Sequence, residues 1–94
     1  MRCNRIVFSG HAVRRMFERR LDVRDIESVL STGEVIADYP DDTPYPSCLM
    51  LGVVDERPIH VVAALEEETQ TCYVITVYRP DPELWSSDFR HRRS

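Results

Sequence analysis

The segment SGHAVRRMFERRLDVRDIESVLSTG, residues 9–33, predicts two helices joined by a very short turn. Ser9 is a good N-cap for a first helix that runs roughly from residue 10 to residue 19. At about 100° per residue, the apolar side chains of this helix share one face: Ala12, Val13, Met16 and Phe17. Arg20 would fall inside that apolar stripe, so we expect the helix to end near Arg19.

A second helix is predicted to begin at once. Asp22 is a good N-cap with Asp25 three residues later, and Leu21 with Ile26 match a hydrophobic staple. Gly33 is expected to close this helix as a left-handed residue just past its end. The two helices therefore form a tight hairpin.

The second half of the chain is predicted to form four strands. Four apolar runs are separated by turn-forming residues, and they cover residues 34–39, 48–55, 59–65 and 71–78. A short apolar segment, Ile6–Phe8, precedes the helices, and the chain ends in a short tail or helical turn anchored by Trp85. Residues 1–94 are thus expected to form a single α+β domain, a helix hairpin followed by a four-stranded antiparallel sheet in the order ααββββ.

The composition is that of an ordinary globular protein, with 43% hydrophobic and 30% charged residues. No apolar run approaches the roughly 20 residues of a bilayer-spanning helix, and the N-terminus lacks a secretory signal. We therefore expect a cytoplasmic protein with no membrane partner. Because Cys3, Cys48 and Cys72 are widely spaced, we expect no disulfide framework and no zinc site, and we expect Cys48 and Cys72 to be small buried hydrophobes.

Charge is distributed unevenly along the chain, whose net charge is −4. Residues 1–24 hold seven arginines against two acids, residues 25–88 hold two arginines against fourteen acids, and residues 89–94 hold three arginines. All twelve basic residues are arginine, whose planar fork binds phosphate or carboxylate groups with two hydrogen bonds. The clustering of arginines favours either a phosphate ligand or an acidic partner.

Motifs along nearly the whole chain resemble those of a family of small uncharacterised bacterial proteins in the RelE/ParE-like toxin superfamily. The matching residues are His11, Ala12, Arg15, Met16, Arg19, Leu21, Gly33, residues 34–36, Tyr39, Pro40, residues 60–62, residues 75–78, Pro80, Asp81 and Trp85. At position 20, where relatives often carry glycine, this chain has arginine. The resemblance implies a fold shared with metal-independent endoribonucleases that cut mRNA, with gyrase poisons and with inactive relatives. It also implies an antitoxin protein as partner.

RNA cleavage without a metal or other cofactor needs a general base, a general acid and cations around the phosphorus. The candidate catalytic residues are His11, His60 and Tyr78, and the candidate phosphate-binding residues are Arg15, Arg19 and Arg79. His11 in a first helical turn is favoured as a neutral base, and Arg15 and Arg19 follow it on the same helix face. The alternative for these residues is a solvated helix face, with local packing or capping by His11 and with Glu18 pairing to an arginine.

Strand alternation places His60, Thr76 and Tyr78 on one face of the sheet, and Tyr73, Ile75 and Val77 on the other. If the helices cover the aliphatic face, His60 and Tyr78 line the open one. The alternative is a buried histidine hydrogen-bonded to a tyrosine hydroxyl or a backbone carbonyl.

Two functions are compatible with these residues. The first is a toxin-like endoribonuclease that acts on mRNA, although the acidic middle of the chain would repel RNA unless it faces away. The second is a non-catalytic interaction module of the same fold, whose arginine face docks an acidic protein partner or a neighbouring subunit in a homo-oligomer.

Overall fold

The computed structural model describes residues 1–93, which form an α+β fold with two helices on one face of a five-stranded mixed sheet. In chain order the elements are β1 (Arg5–Phe8), α1 (Gly10–Glu18), α2 (Val23–Thr32), β2 (Glu34–Tyr39), β3 (Ser47–Val54), β4 (Arg57–Glu66) and β5 (Thr71–Tyr78). The strand order across the sheet is β1-β5-β4-β3-β2. β1 and β5 run parallel, and the other neighbouring strands are antiparallel. The four predicted strands correspond to β2–β5.

The predicted four-stranded antiparallel sheet after a helix hairpin is wrong, because a fifth strand precedes the helices. β1 has four residues, and it pairs with the last strand of the chain, with Arg5 opposite Thr71 and Phe8 opposite Val74. So short an apolar run carries too little periodicity to be recognised as a strand without its partner. The observed order is therefore βααββββ.

Ser9 connects β1, β5 and α1. Its backbone N–H donates to the Val74 carbonyl at 3.0 Å, and its hydroxyl donates to the Ile75 carbonyl at 2.8 Å. The same hydroxyl oxygen accepts from the Ala12 N–H at 2.9 Å, which confirms the predicted N-cap. α1 therefore begins next to the β1–β5 pair and packs on β5.

Both predicted helices are confirmed. α1 ends at Glu18, and Arg20 has a φ of 55°, which agrees with a helix that stops near Arg19. Asp22 and Asp25 form a reciprocal capping box at the start of α2, in which each side chain accepts from the other residue's N–H at 2.8–2.9 Å. Neither α1 nor α2 is long and apolar enough to cross a membrane.

Gly33 is not left-handed as predicted, since its φ of −72° and ψ of 171° are those of extended backbone. A glycine is needed here for space. A Cβ atom would clash with the Val29 carbonyl oxygen and lie 2.9 Å from the Leu51 carbonyl oxygen. α2 therefore passes directly into β2 with its last turn against β3.

α1 buries only part of its predicted apolar face. Ala12 and Met16 are buried against the sheet, whereas Val13 is 53% exposed and Phe17 is 86% exposed. Consecutive helical residues point about 100° apart, so Phe17 turns toward solvent when Met16 faces the sheet. The four apolar residues of α1 are spread too widely around the helix for all of them to face the sheet.

Cys3 and Cys72 form a disulfide between the segment before β1 and β5. The expectation that the cysteines form no disulfide is therefore wrong, whereas the predicted burial of Cys72 is confirmed. The parallel pairing sets Ile6 opposite Cys72, and this register brings Cys3 within reach. Cys48 is free and buried, as predicted.

Residues 79–93, hereafter the C-terminal segment, fold over the sheet face opposite the helices, hereafter the open face. Trp85 is buried and forms an isolated β-bridge with Arg92, which agrees with the expected anchor. The Arg90 guanidinium donates to both carboxylate oxygens of Glu34 on β2, at 2.8 and 2.9 Å. The C-terminal segment is thereby attached to both β4–β5 and β2.

Candidate functional site

His60 is the centre of a buried polar cluster on the open face. Along β4, Ile59 and Val61 point toward the helices, so His60 points the other way. Its side chain is fully buried, with Nδ1 3.1 Å from the Tyr78 hydroxyl and Nε2 2.9 Å from the Phe89 carbonyl oxygen. Because a carbonyl only accepts, Nε2 carries the proton, and Nδ1 accepts from the Tyr78 hydroxyl.

The C-terminal segment seals this cluster. The Trp85 ring meets His60 edge-on with 4.4 Å between ring centroids, and the Arg92 guanidinium lies 5.6 Å from the Trp85 ring centroid. The ion pair between Arg90 and Glu34 attaches the same segment to β2. His60 is therefore inaccessible to a substrate while the C-terminal segment is in place.

Burial lowers the pKa of His60 from its ordinary value of 6.5, and the hydrogen bond to the Phe89 carbonyl only partly opposes this shift. Burial also raises the pKa of the Tyr78 hydroxyl, which stays neutral and able to donate. A neutral imidazole with one donor and one acceptor satisfies both of its partners. The cluster is thus a stable hydrogen-bonded arrangement at neutral pH.

We expect stability to fall as the pH drops below about 6.5, the pKa of an unfolded-chain histidine. Below that pH the unfolded chain binds a proton on His60 that the folded protein does not bind. The contribution is complete above pH 6.5 and is lost progressively until the folded-state pKa is reached. Glu34 and Asp88, whose pKa values are lowered by hydrogen bonds, act at more acidic pH.

Thermal melts of the wild type and of His60→Gln, from neutral to mildly acidic pH, check this expectation. His11→Gln is the matched control, because His11 is exposed. Superimposable pH profiles for the wild type and His60→Gln would contradict it.

Arg79 follows β5 directly and is half-buried. Its Nη1 atom is buried and has no hydrogen-bond partner among residues 1–93. Buried guanidinium nitrogens without a partner are rare, because an unmade hydrogen bond to a charged group is costly. Arg79 is therefore able to donate to an anion or a water molecule.

The remaining predicted site residues lie on α1. His11 is exposed in the first turn, and Arg19 is exposed at the C-cap. Arg15 Nη1 lies 3.3 Å from Glu18 Oε1 in a surface ion pair. Because α1 packs on the face of the sheet opposite His60, the structure brings together His60 and Tyr78 but separates them from the α1 group.

The chain matches, over residues 8–79, the family described as a domain of unknown function, DUF4258. It belongs to the DUF4258 family. No curated protein and no solved structure matches the chain. In this DUF4258 chain all six predicted site residues lie within the matched region, whereas Cys3 and residues 80–93 lie outside it.

A β-bulge in β5 changes which residues share the open face of the DUF4258 chain. Val62 pairs with Thr76 but the next residue, Ala63, pairs with Val74, so Ile75 is the extra residue. The prediction that Tyr73 shares a face with Val77 is therefore wrong. Tyr73 lies on the open face, opposite Ala64, and simple alternation contains no signal for a bulge.

Two functionally relevant features of the DUF4258 chain were missed from the sequence. The Phe89 carbonyl bonds His60 from a residue with a φ of 60°, and an irregular tail offers no periodicity from which to predict this contact. Phe17 was assigned to the buried stripe. The sequence does contain a signal against its burial, because the apolar stripe covers more of the helix circumference than one helix can bury against a sheet.

Proposed function

We propose that this DUF4258 chain is a protein-binding module related to the RelE/ParE-like toxin superfamily, and that α1 binds an acidic segment of a partner protein. The proposed surface, hereafter the α1 surface, consists of Val13, Arg14 and Phe17 on α1 and of Arg20 in the turn that follows it, all of which are exposed. The observation that carries the proposal is the exposure of Phe17, a residue that is 86% exposed and lies near arginines in the sequence. If the superfamily relationship holds, the acidic partner is the antitoxin.

Charge and residue type both favour a protein partner for this surface. No carboxylate within residues 1–93 lies within 4.0 Å of the guanidinium groups of Arg14, Arg19 or Arg20. Aromatic residues and arginines are enriched in protein–protein interfaces, where a few such residues supply most of the affinity. Unpaired arginines select an acidic partner, and Phe17 selects one with an apolar pocket.

The separation of the two candidate catalytic histidines supports binding rather than catalysis. His11 lies on α1, whereas His60 lies beneath Trp85 on the other side of the sheet. Acid–base cleavage of RNA requires both proton-transfer groups within hydrogen-bond reach of one phosphate. A binding surface on α1 requires no such convergence.

Phe17→Ala is expected to weaken binding to an acidic amphipathic peptide by roughly 10- to 30-fold, because it removes the aromatic anchor. The probe is a fluorescein-labelled peptide of leucine and glutamate at helical spacing, and fluorescence anisotropy is measured at physiological salt. Because Phe17 is exposed, the free energy of unfolding of the variant should lie within about 0.5 kcal/mol of that of the wild type. Val53→Ala is the matched control, since Val53 is 69% exposed on β3, away from α1.

Charge is tested separately with Arg14→Gln against Arg57→Gln, an exposed arginine at the start of β4. Arg14→Gln should weaken peptide binding and reduce its salt dependence, whereas Arg57→Gln should not. Equal peptide affinity for the wild type and Phe17→Ala, or stronger binding to single-stranded RNA than to the peptide, would contradict the proposal.

A metal-independent endoribonuclease is the second candidate, and the unpartnered Nη1 of Arg79 favours it. That nitrogen is a buried cationic donor, which a phosphate site requires. Arg79 also directly follows Tyr78 in the sequence. In this case the C-terminal segment must move before RNA reaches His60. The exposed His11 is too far around the fold to assist there.

Induced expression in a bacterium distinguishes the two functions. We expect the wild type to leave growth and total mRNA unchanged, because His11 and His60 do not share a site. Cleaved mRNA with the wild type, together with intact mRNA after Arg79→Gln, would establish the second candidate instead. Northern blots of abundant transcripts provide the measurement.

A further inference from the structure

A cavity, hereafter the tyrosine cavity, lies on the open face at the end of the sheet away from His60. Its volume is about 530 Å³, within the range of small-ligand sites. Residues 42–45, in the loop between β2 and β3, form one wall, and Ala64, Tyr73 and Ile75 form the other. The bulge at Ile75 turns Tyr73 onto the open face, so the cavity exists because of that irregularity.

Two parallel tyrosine rings form the core of this site. Tyr45 and Tyr73 stack with 5.5 Å between ring centroids and an interplanar angle of 11°. The Tyr73 hydroxyl donates to Glu66 Oε1 at 3.0 Å. Hydrogen bonding to Glu66 raises the pKa of both tyrosines, so both hydroxyls stay neutral.

Negative charge surrounds these rings. Asp42 lines the cavity and accepts from the Ser47 hydroxyl at 2.5 Å, and Glu66 lies at the end of the ring pair. No basic side chain in the described part of the chain comes within 4.0 Å of either carboxylate. Arg5 on β1 and Glu66 on β4 both pair with Thr71 on β5. The positive charge of Arg5 opposes, to a smaller extent, the rise that Glu66 causes in the pKa of Tyr73. The local field thus repels phosphate groups and attracts cations.

We propose that this cavity binds the guanidinium group of an arginine side chain from a partner protein. Guanidinium is planar, stacks on tyrosine rings and donates in pairs to a carboxylate, so it matches the Tyr45–Tyr73 pair and Glu66 together. A nucleobase would also stack, but its phosphate would face Asp42 and Glu66. The site is separate from the α1 surface. It gives a binding role to Asp42 and Glu66, which take no part in the proposed binding by α1.

Titration with a blocked glycyl-arginyl-glycine peptide, followed by ¹H–¹⁵N NMR, tests the site. We expect saturable shifts at the Tyr45, Glu66 and Tyr73 amides. The same peptide with citrulline, a neutral isostere of arginine, should bind at least about 10-fold more weakly, because the charged hydrogen bonds are lost. This comparison uses the wild-type protein and does not depend on how any variant folds.

Glu66→Gln should weaken binding of the arginine peptide by a similar factor. Glu67→Gln, an exposed acid one residue later, is the matched control and should bind as the wild type does. Equal affinity for the arginine and citrulline peptides, shifts confined to residues outside the cavity, or unchanged affinity in Glu66→Gln would each overturn the proposal.

Discussion

Replacing Cys3 with serine is expected to lower the free energy of unfolding of the oxidised protein by about 4 kcal/mol. The Cys3–Cys72 bond closes a loop with a sequence separation of 69 residues, and a long closed loop removes much of the entropy of the unfolded chain. The bond also holds β1 to the sheet, and β1 has only four residues of its own to pair with β5. The fold thus relies on this cross-link at its weakest edge.

Urea unfolding with and without a reductant measures this contribution. The reduced wild type should match Cys3→Ser, and the variant itself should not respond to the reductant. Cys48→Ala is the matched control, because Cys48 is free and buried, so its cost should be the same in both conditions. A wild type that unfolds identically in both conditions would show that the disulfide contributes nothing.

The elements that sequence predicted well are those whose signals are local. The cap at Ser9 and the capping box of Asp22 and Asp25 depend on residues within one helical turn. The strands β2–β5 are apolar runs bounded by turn residues, and each can be recognised without its partner. These predictions therefore agree with the structure to within one or two residues.

The errors in the fold come from long-range pairing. Nothing within Ile6–Phe8 indicates that it pairs with β5, since the partner strand is at the other end of the chain. The disulfide follows from that pairing, so missing β1 also meant missing the bond between Cys3 and Cys72. Gly33 shows the same limit in part, because one of the two carbonyl oxygens that exclude a Cβ atom there belongs to Leu51 on β3.

The candidate site was predicted in part, for the same reason. Strand alternation correctly placed His60 and Tyr78 on one face, and hydrogen bonding of this histidine to a tyrosine hydroxyl and a backbone carbonyl was one of the two interpretations left open. The bulge at Ile75 places Tyr73 on that face, where Tyr73 lines the tyrosine cavity. Alternation describes a regular strand, and a single extra residue reverses it for the rest of the strand.

Arg14 and Arg20, which form no ion pair in the described part of the chain, lie on a different surface from Asp42 and Glu66. The arginines of residues 14–20 lie on α1 and just after it, whereas Asp42 lines the tyrosine cavity on the open face and Glu66 bonds the Tyr73 hydroxyl there. Asp42 and Glu66 therefore do not cancel the positive charge of the α1 surface. One side of the protein is suited to an acidic partner, and the other is suited to a cationic side chain.

Replacing His60 with alanine is expected to lower the free energy of unfolding by about 3 kcal/mol, from lost packing and unmade hydrogen bonds together. The substitution leaves a cavity beneath Trp85 and removes the partners of the Tyr78 hydroxyl and the Phe89 carbonyl. For a domain of this size, that loss corresponds to a decrease in melting temperature of roughly 10–20 °C. His11→Ala should change stability by no more than about 0.5 kcal/mol, because His11 is exposed.

Trp85 fluorescence adds a local readout to the same experiment. If His60 holds the C-terminal segment in place, His60→Ala should expose the indole and shift its emission to longer wavelength under native conditions. His60→Gln, which retains a donor and an acceptor, should recover part of both the stability and the emission. A loss below about 1 kcal/mol in His60→Ala, the value of one ordinary hydrogen bond, would show that the cluster does not support the fold. The burial of the imidazole would then have no structural explanation, and this would favour the endoribonuclease candidate, in which His60 acts in chemistry.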